Sequence, residues 1–254
     1  MRQAAQGTND DGQHDGLHVA IVGAGIGGLT CAIACRRAVP PLEVTLLERT
    51  AEIVAIGAGI HIPSNAARIL KHLGLLDKLK RAGGYEMDDF VLRRWEDGQP
   101  VVEKPLKGRV EREYGGQWIA IHRGDYQSVL LEEAVRLGVH VVTNAKVVSL
   151  ETSSDSDQTV CLKDGRQIHA DAVIGADGLW SVVRETVLQR KFEPLETGDL
   201  AYRVTFSSEQ LNPVQSERLD DLLQQSNMQV WMGPGKHAGF YPLRDHTVYN
   251  LVLV

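Results

Sequence analysis

The chain of 254 residues has only three cysteines, Cys31, Cys35 and Cys161. Cys31 and Cys35 lie four apart on a helix-like stretch, where a disulfide would strain the helix, and no cluster of His and Cys surrounds any of the three. A disulfide scaffold and a zinc site are thereby excluded, and buried thiols in a reducing, cytoplasmic compartment are expected. No apolar run is long enough to span a bilayer. The first stretch, Met1 to Gly16, is polar and lacks the apolar core of a signal peptide, so a disordered leader is expected over 1–16. Net charge is −6, and no basic cluster with interleaved aromatics occurs. Nucleic acid is therefore not expected as a partner.

Hydrophobic residues make up 43% and charged residues 24% of the chain, which is ordinary for a globular protein of one large or two modest domains. The most informative stretch is Leu17 to Glu48. An apolar run, His18 to Val22, leads into Gly23-Ala24-Gly25-Ile26-Gly27-Gly28. A helix-like segment follows, Leu29 to Ala38, and then a second strand-like run, Val44 to Leu47, that ends on Glu48. This is G-x-G-x-x-G inside a strand–turn–helix–strand unit. Gly23 permits the sharp turn, Gly25 lets backbone approach a pyrophosphate, and Gly28 lets helix pack on strand. Free N–H groups at the helix start attract phosphate. Glu48 is placed to accept hydrogen bonds from ribose hydroxyls. A Rossmann-like α/β dinucleotide site follows, with NAD, NADP and FAD all open.

Further along, Gly57-Ala58-Gly59-Ile60 marks backbone passing close to something, and Ser64-Asn65 is expected to cap a helix over Ala66 to Leu73. Strands are expected between 85 and 122, with an exposed loop over Lys104 to Gly116. Asp125 is a candidate cap for an amphipathic helix that Gly138 ends. Thr159–Leu162 and Gln167–His169 should pair across Asp164-Gly165, and Asp171 to Asp177 reads as a buried strand ending on an acid. From Glu193 onward, β-like runs at 200–206, 228–232, 239–243 and 248–254 suggest a second, antiparallel sheet. Three segments result: the leader 1–16, a dinucleotide-binding domain 17–192 with a strand excursion at 85–122, and a sheet domain 193–254. The apolar ending Asn250 to Val254 suggests that the C-terminal part of a larger protein is missing.

Three separated motifs resemble one family when taken together. They are the glycine loop with Glu48, His122-Arg123-Gly124-Asp125-Tyr126, and Ala176-Asp177-Gly178-Leu179-Trp180-Ser181 continuing to Arg184. In this order and spacing they resemble the FAD-dependent aromatic-ring monooxygenases, typified by salicylate and para-hydroxybenzoate hydroxylases. The resemblance spans residues 17 to 254. It implies a Rossmann-like FAD-binding domain with an inserted or following antiparallel β-sheet substrate domain. It also implies hydroxylation of a phenolic or other aromatic small molecule with NADPH or NADH and O2, through a flavin hydroperoxide. By the same resemblance Gly23, Gly25 and Gly28 hold the FAD pyrophosphate, Glu48 the adenosine ribose with Arg49 beside it, and Arg123 contacts FAD. Asp177 lies near the pyrophosphate, and Ala58 and Gly59 line the flavin and substrate cavity. Arg203 and Tyr241 match positions where fungal phenol hydroxylases of this type use an arginine and a tyrosine on the substrate sheet.

Two departures accompany the match. Ala55 stands where family members carry a glutamate, and the family's last FAD motif, a Gly-Asp that opens a helix, is not found. A truncated, non-catalytic relative is therefore the alternative, with weak FAD binding by the 254-residue chain, and a NAD-dependent dehydrogenase ranks lower.

Overall fold

The computed structural model describes residues 16–38, 42–53, 58–153, 157–211, 213–214 and 216–254. The expected leader up to residue 15, the positions of Ala55 and Gly57, and the tip of the 151–157 hairpin lie outside the described residues.

In chain order the elements are β1 (His18–Val22), α1 (Ile26–Ala38), β2 (Glu43–Leu47), β3 (Gly59–Ile62), α2 (Ser64–His72), α3 (Leu76–Arg81), β4 (Tyr85–Glu86), β5 (Asp89–Arg94) and β6 (Pro100–Pro105). They continue with α4 (Arg109–Tyr114), β7 (Ile119–His122), α5 (Arg123–Arg136), β8 (His140–Val142), β9 (Val147–Thr152), β10 (Gln158–Leu162), β11 (Gln167–Ala170), β12 (Ala172–Gly175) and α6 (Val182–Leu188). The last are β13 (Tyr202–Ser207), α7 (Ser208–Leu211), α8 (Glu217–Leu223), β14 (Met228–Gly233), β15 (Lys236–Leu243) and β16 (Val248–Leu253).

A parallel sheet in the order β12-β1-β2-β8 carries the glycine loop. Side-chain alternation along β1 builds two cores at once. Val19 and Ile21 pack with α1 and α5, where Tyr126, Leu130 and Ala134 recur at every fourth residue. Ala20 and Val22 face the other way, onto Val160, Leu162 and Val147 of the small antiparallel sheet β11-β10-β9. The hairpin across Asp164-Gly165 forms as expected.

A second sheet runs β13-β16-β15-β14-β5-β6. The strands expected after residue 193 form four of its members, and the excursion at 85–122 supplies the other two. Every junction is antiparallel except β14 with β5, which is parallel. A three-stranded sheet, β3-β7-β4, joins the two parts.

Several local expectations need correction. β12 is an edge strand with Ala172 and Gly175 exposed, because only β1 pairs with it among the described residues. The segment 104–116 is no plain loop. It holds α4 between two left-handed glycines, Gly108 (φ 67°) and Gly115 (φ 73°), and buries Leu106 and Val110. Two apolar residues among charges left too little periodicity to see. Ser64 does not cap α2 but is its first residue: Pro63, with φ −72° and ψ 169°, makes the extended turn one residue earlier. Asp125 does not cap α5; the His122 Nδ1 accepts from the Gly124 N–H at 3.2 Å instead. Cys31 and Cys35 are free thiols, half-buried rather than buried, and burial next to Cys35 pushes Cys31 up to about 11.

Asp125 is thereby left to clamp the two parts together. Both its oxygens accept from Arg244 at 2.8 Å, the Nε on Oδ2 and the Nη2 on Oδ1. Arg244 opens the β15–β16 turn, in which Arg244, Asp245 and His246 all have positive φ (48°, 54° and 62°). Such a conformation costs about 1–3 kcal/mol per non-glycine residue unless contacts hold it. Here Thr247 Oγ1 donates to the Arg244 carbonyl, and His246 meets Ser226 Oγ and the Leu223 carbonyl. A double-mutant cycle of Arg244→Ala and Asp125→Ala in urea unfolding should show coupling of about 1 kcal/mol, since both side chains are partly exposed. Additive single effects would mean that the clamp contributes nothing.

α1, α3 and α5 also converge on one acid. Glu133 is fully buried, yet it accepts from Arg37 on α1, Lys78 on α3 and, at 2.8 Å through both oxygens, Arg136 on α5.

Candidate cofactor site

The carboxyl ends of β1, β2, β12 and β8 open on one side of the parallel sheet, where open α/β folds take ligands. Backbone bonds draw these ends together: Gly23 N–H donates to the Leu47 carbonyl, Ala176 N–H to the Val22 carbonyl and Glu48 N–H to the Val142 carbonyl, all at 2.8 Å. A cavity of about 660 Å3 results, walled by Gly23 and Gly25, by Glu48, Arg49 and Thr50, by Arg123 and Gln127, and by Asp177 and Trp180. That lies within the range of about 300–1,000 Å3 usual for ligand pockets.

The three glycines do different work. A Cβ on Gly28 would lie 1.9 Å from the Gly23 carbonyl oxygen, and one on Gly23 (φ 105°) would lie 2.4 Å from the Ala176 carbonyl oxygen. Both positions are closed by protein. A Cβ on Gly25 would meet nothing within 4 Å. No packing demands a glycine there, and the space in front of it belongs to the cavity. This fits a backbone that a pyrophosphate approaches. α1 starts here with no acidic residue in its first turn, so its N-terminal dipole is left for an anion.

Glu48 is held ready at the mouth. Its Oε2 accepts from the Ala24 N–H at 3.0 Å, and its Oε1 from the Thr50 N–H at 3.0 Å and the Thr50 hydroxyl at 3.1 Å. Gln127, buried on α5, donates to the Ala24 carbonyl at 2.9 Å and pins the loop from behind. Arg49 is exposed on the cavity wall, and Arg123 is half-buried at the first turn of α5. Asp177 borders the cavity, and its carboxylate holds the start of α6: Oδ1 accepts from Ser181 Oγ at 2.5 Å, Oδ2 from the N–H groups of Val182 and Val183 at 2.7 and 3.2 Å. Gly23, Gly25, Glu48, Arg49, Arg123 and Asp177 are therefore brought together.

Ala58, Gly59, Arg203 and Tyr241 stand apart, at the joint between the sheets. Arg123 N–H donates to the Ala58 carbonyl at 3.1 Å and links the two places. A Cβ on Gly59 would lie 2.4 Å from the Tyr241 ring, so the room left by the missing side chain is filled by that phenol. Tyr241 is 3% exposed, and burial pushes its hydroxyl up to about 12 against the opposing charge of Arg203. Arg203 is exposed on β13, on the same sheet face. Sequence reasoning missed Gln127, which carries no local signal. Among the described residues there is no cluster that could hold a metal, and no helix is long and apolar enough to cross a membrane.

A curated relative, 3-hydroxybenzoate 6-hydroxylase 1 of Aquipseudomonas alcaligenes, is 34% identical over 240 residues, covering 93% of this chain and 57% of the relative. The FAD-dependent monooxygenase ntnJ of Nectria sp is likewise 34% identical over 240 residues, covering 94% and 54%. Among solved structures, Klebsiella pneumoniae HpxO, complexed with FAD and uric acid, superposes with a TM-score of 0.79 at 23% identity, over 93% of this chain and 56% of that one, and so shares the fold. The chain spans about half the length of the curated relatives it matches. A family model described as an FAD binding domain matches residues 16–252, so the chain belongs to the FAD binding domain family.

Proposed function

We propose that this chain belongs to a cytoplasmic monooxygenase that hydroxylates a phenolic or other aromatic small molecule with NAD(P)H and O2. The observation that carries the reading is the open cradle at Gly25 facing a pre-set Glu48. Bound FAD supplies hydride acceptance from NAD(P)H and the activation of oxygen. The protein's part is to bind, orient and exclude water.

Gly23, Gly25 and Gly28 shape the phosphate cradle, and Glu48 offers its carboxylate to the ribose hydroxyls. Arg123 adds positive charge where the helix dipole alone would disfavour it. Asp177, by tying down α6, fixes the wall that lies directly against the glycine loop at Gly23. Ala58 and Gly59 lead from this cavity to the six-stranded sheet. There Tyr241 keeps its proton at neutral pH, because burial raises its pKa to about 12, and donates from its hydroxyl toward a phenolate rather than taking a proton. Arg203 balances the phenolate charge from the same sheet face.

The absorbance spectrum of the protein mixed with FAD, then with NADPH and candidate phenols, tests the reading. Glu48→Ala should raise the FAD dissociation constant by about tenfold to a hundredfold, as expected for losing charge-assisted hydrogen bonds. An unchanged constant would count against the ribose assignment.

A further inference from the structure

The first turn of α5 sends side chains to two different places. Arg123 and Gln127 stand four residues apart and so share a helix face, and both line the cofactor cavity. Gln127 donates to the Ala24 carbonyl of the glycine loop at 2.9 Å. Asp125 lies between them in sequence, about 200° further around the helix axis than Arg123, and so on the other side. Its carboxylate reaches the six-stranded sheet, where Arg244 donates to both oxygens at 2.8 Å.

This turn is tied to the sheet at a second point. The Arg123 N–H donates to the Ala58 carbonyl at 3.1 Å, and the next residue, Gly59, donates its N–H to Asn250 Oδ1 at 2.9 Å. Asn250 on β16 is the register partner of Tyr241 on β15, and Arg244 directly follows β15. Both ties therefore end on one hairpin, the first in its turn and the second in its strands. The turn is the part able to give way. Arg244, Asp245 and His246 all have positive φ, a conformation that persists only where contacts hold it. None of residues 244–247 lines the cavity.

We propose that Arg244 is a positioning residue for the cofactor site: through Asp125 it sets the first turn of α5, and with it Arg123 and Gln127, so that bound FAD and the β15–β16 turn stabilise one another. This role rests on the FAD-dependent reading above. Binding linkage is reciprocal, so if the closed clamp favours FAD by some factor, FAD favours the closed clamp by the same factor. That factor cannot exceed what a partly exposed ion pair supplies, which makes it about fivefold. Tyr241 belongs to the same hairpin, so the occupancy of the cofactor cavity is felt on the strand that carries the phenol.

Two measurements test the link, with FAD as the probe in both. In flavin fluorescence titration, Arg244→Ala should raise the FAD dissociation constant about fivefold. Arg244→Lys, which keeps the charge but not the two-pronged contact, should fall between that variant and wild type. Amide hydrogen exchange reads the reciprocal effect. The Thr247 N–H donates to the Arg244 carbonyl at 3.2 Å and so reports on the turn. In wild type, saturating FAD should slow exchange of this amide by about the same fivefold. In Arg244→Ala at saturating FAD that slowing should vanish, while the amides of residues 23–29 are slowed as in wild type. A residue that merely adds stability would not let the Thr247 amide sense a ligand in a cavity it does not line. If Arg244→Ala fails to fold, the wild-type exchange measurement and Arg244→Lys decide alone. Unchanged FAD affinity in a folded Arg244→Ala, or a wild-type Thr247 amide indifferent to FAD, overturns the assignment. If wild type binds no FAD at all, the cofactor reading itself falls, and the role of Arg244 with it.

Discussion

Alanine at position 25 should leave stability within about 0.5 kcal/mol of wild type yet weaken FAD binding by about a hundredfold or more. The two effects separate because protein and ligand would use the same glycine differently. Gly25 has an ordinary backbone conformation, and an added methyl would touch no protein atom within 4 Å. The methyl would instead occupy the space through which a pyrophosphate reaches the loop N–H groups. Gly28→Ala is the contrasting case. Its methyl would lie 1.9 Å from the Gly23 carbonyl, a backbone atom that yields only if the whole turn moves. Both stability and binding should then drop, stability by about 3 kcal/mol, at the upper end for overpacking. Urea unfolding and flavin fluorescence titration measure the two quantities independently. Wild-type FAD affinity in Gly25→Ala would show that the loop is not the phosphate cradle.

Removing the carboxylate of Glu133 should be the most destabilising change at any single acid of the described residues. Glu133→Leu leaves Arg37, Lys78 and Arg136 crowded together without their shared partner. Breaking a buried pair costs about 3–5 kcal/mol when the remaining charge is trapped. These cations reach solvent in part, so about 2–4 kcal/mol is expected here. The same cluster predicts a pH dependence. Hydrogen bonds from Arg136 first, then from Lys78 and Arg37, hold the Glu133 carboxyl far below its usual 4.5. A depressed folded-state pKa gives stability that is full above the unfolded value and fades as pH falls below it. Wild type should therefore lose stability from about pH 5 downward, and Glu133→Gln should flatten that slope. Equal urea midpoints for wild type and variant at pH 7 would contradict the cluster's role.

The cofactor half of the site was legible because its signal is local. The turn, the glycine loop and Glu48 all fall within Leu17 to Glu48, and Gly23 and Gly28 answer to close backbone approaches while Gly25 faces the cavity. The motifs of Arg123 and Asp177 mark two residues that the structure brings to the cavity wall, although the hold of Asp177 on the start of α6, whose cap is Ser181, is visible only once Val182 and Val183 point their N–H groups at it. Glu133 lies on the buried face of α5 beside Leu130 and Ala134. Nothing local tells that Arg37, 96 residues earlier, shares it. α4 was missed because two buried apolar side chains are too few to define a period. Gly59 was read as making room, and the structure shows what takes it, the Tyr241 ring, brought there from a strand late in the chain.

The parallel junction between β5 and β14 also has a consequence for how the protein is made. Arg93 and Gln229, which hydrogen-bond across it, are 136 residues apart. At about 5–20 residues per second of synthesis, the β5–β6 hairpin emerges from the ribosome about 7–27 s before its neighbour exists. During that interval the edge of β5 that will receive β14 is unpaired, and Phe90 has neither Met228 nor Tyr241 to pack against. The nascent chain therefore passes through a window in which this hairpin is exposed to strand pairing with other chains. The run of charges in β6 and α4, Glu103 and Lys104 followed by Arg109, Glu111, Arg112 and Glu113, emerges directly after β5 and long before β14. Those charges, which contribute little to the finished core, act as gatekeepers against aggregation before the sheet is complete.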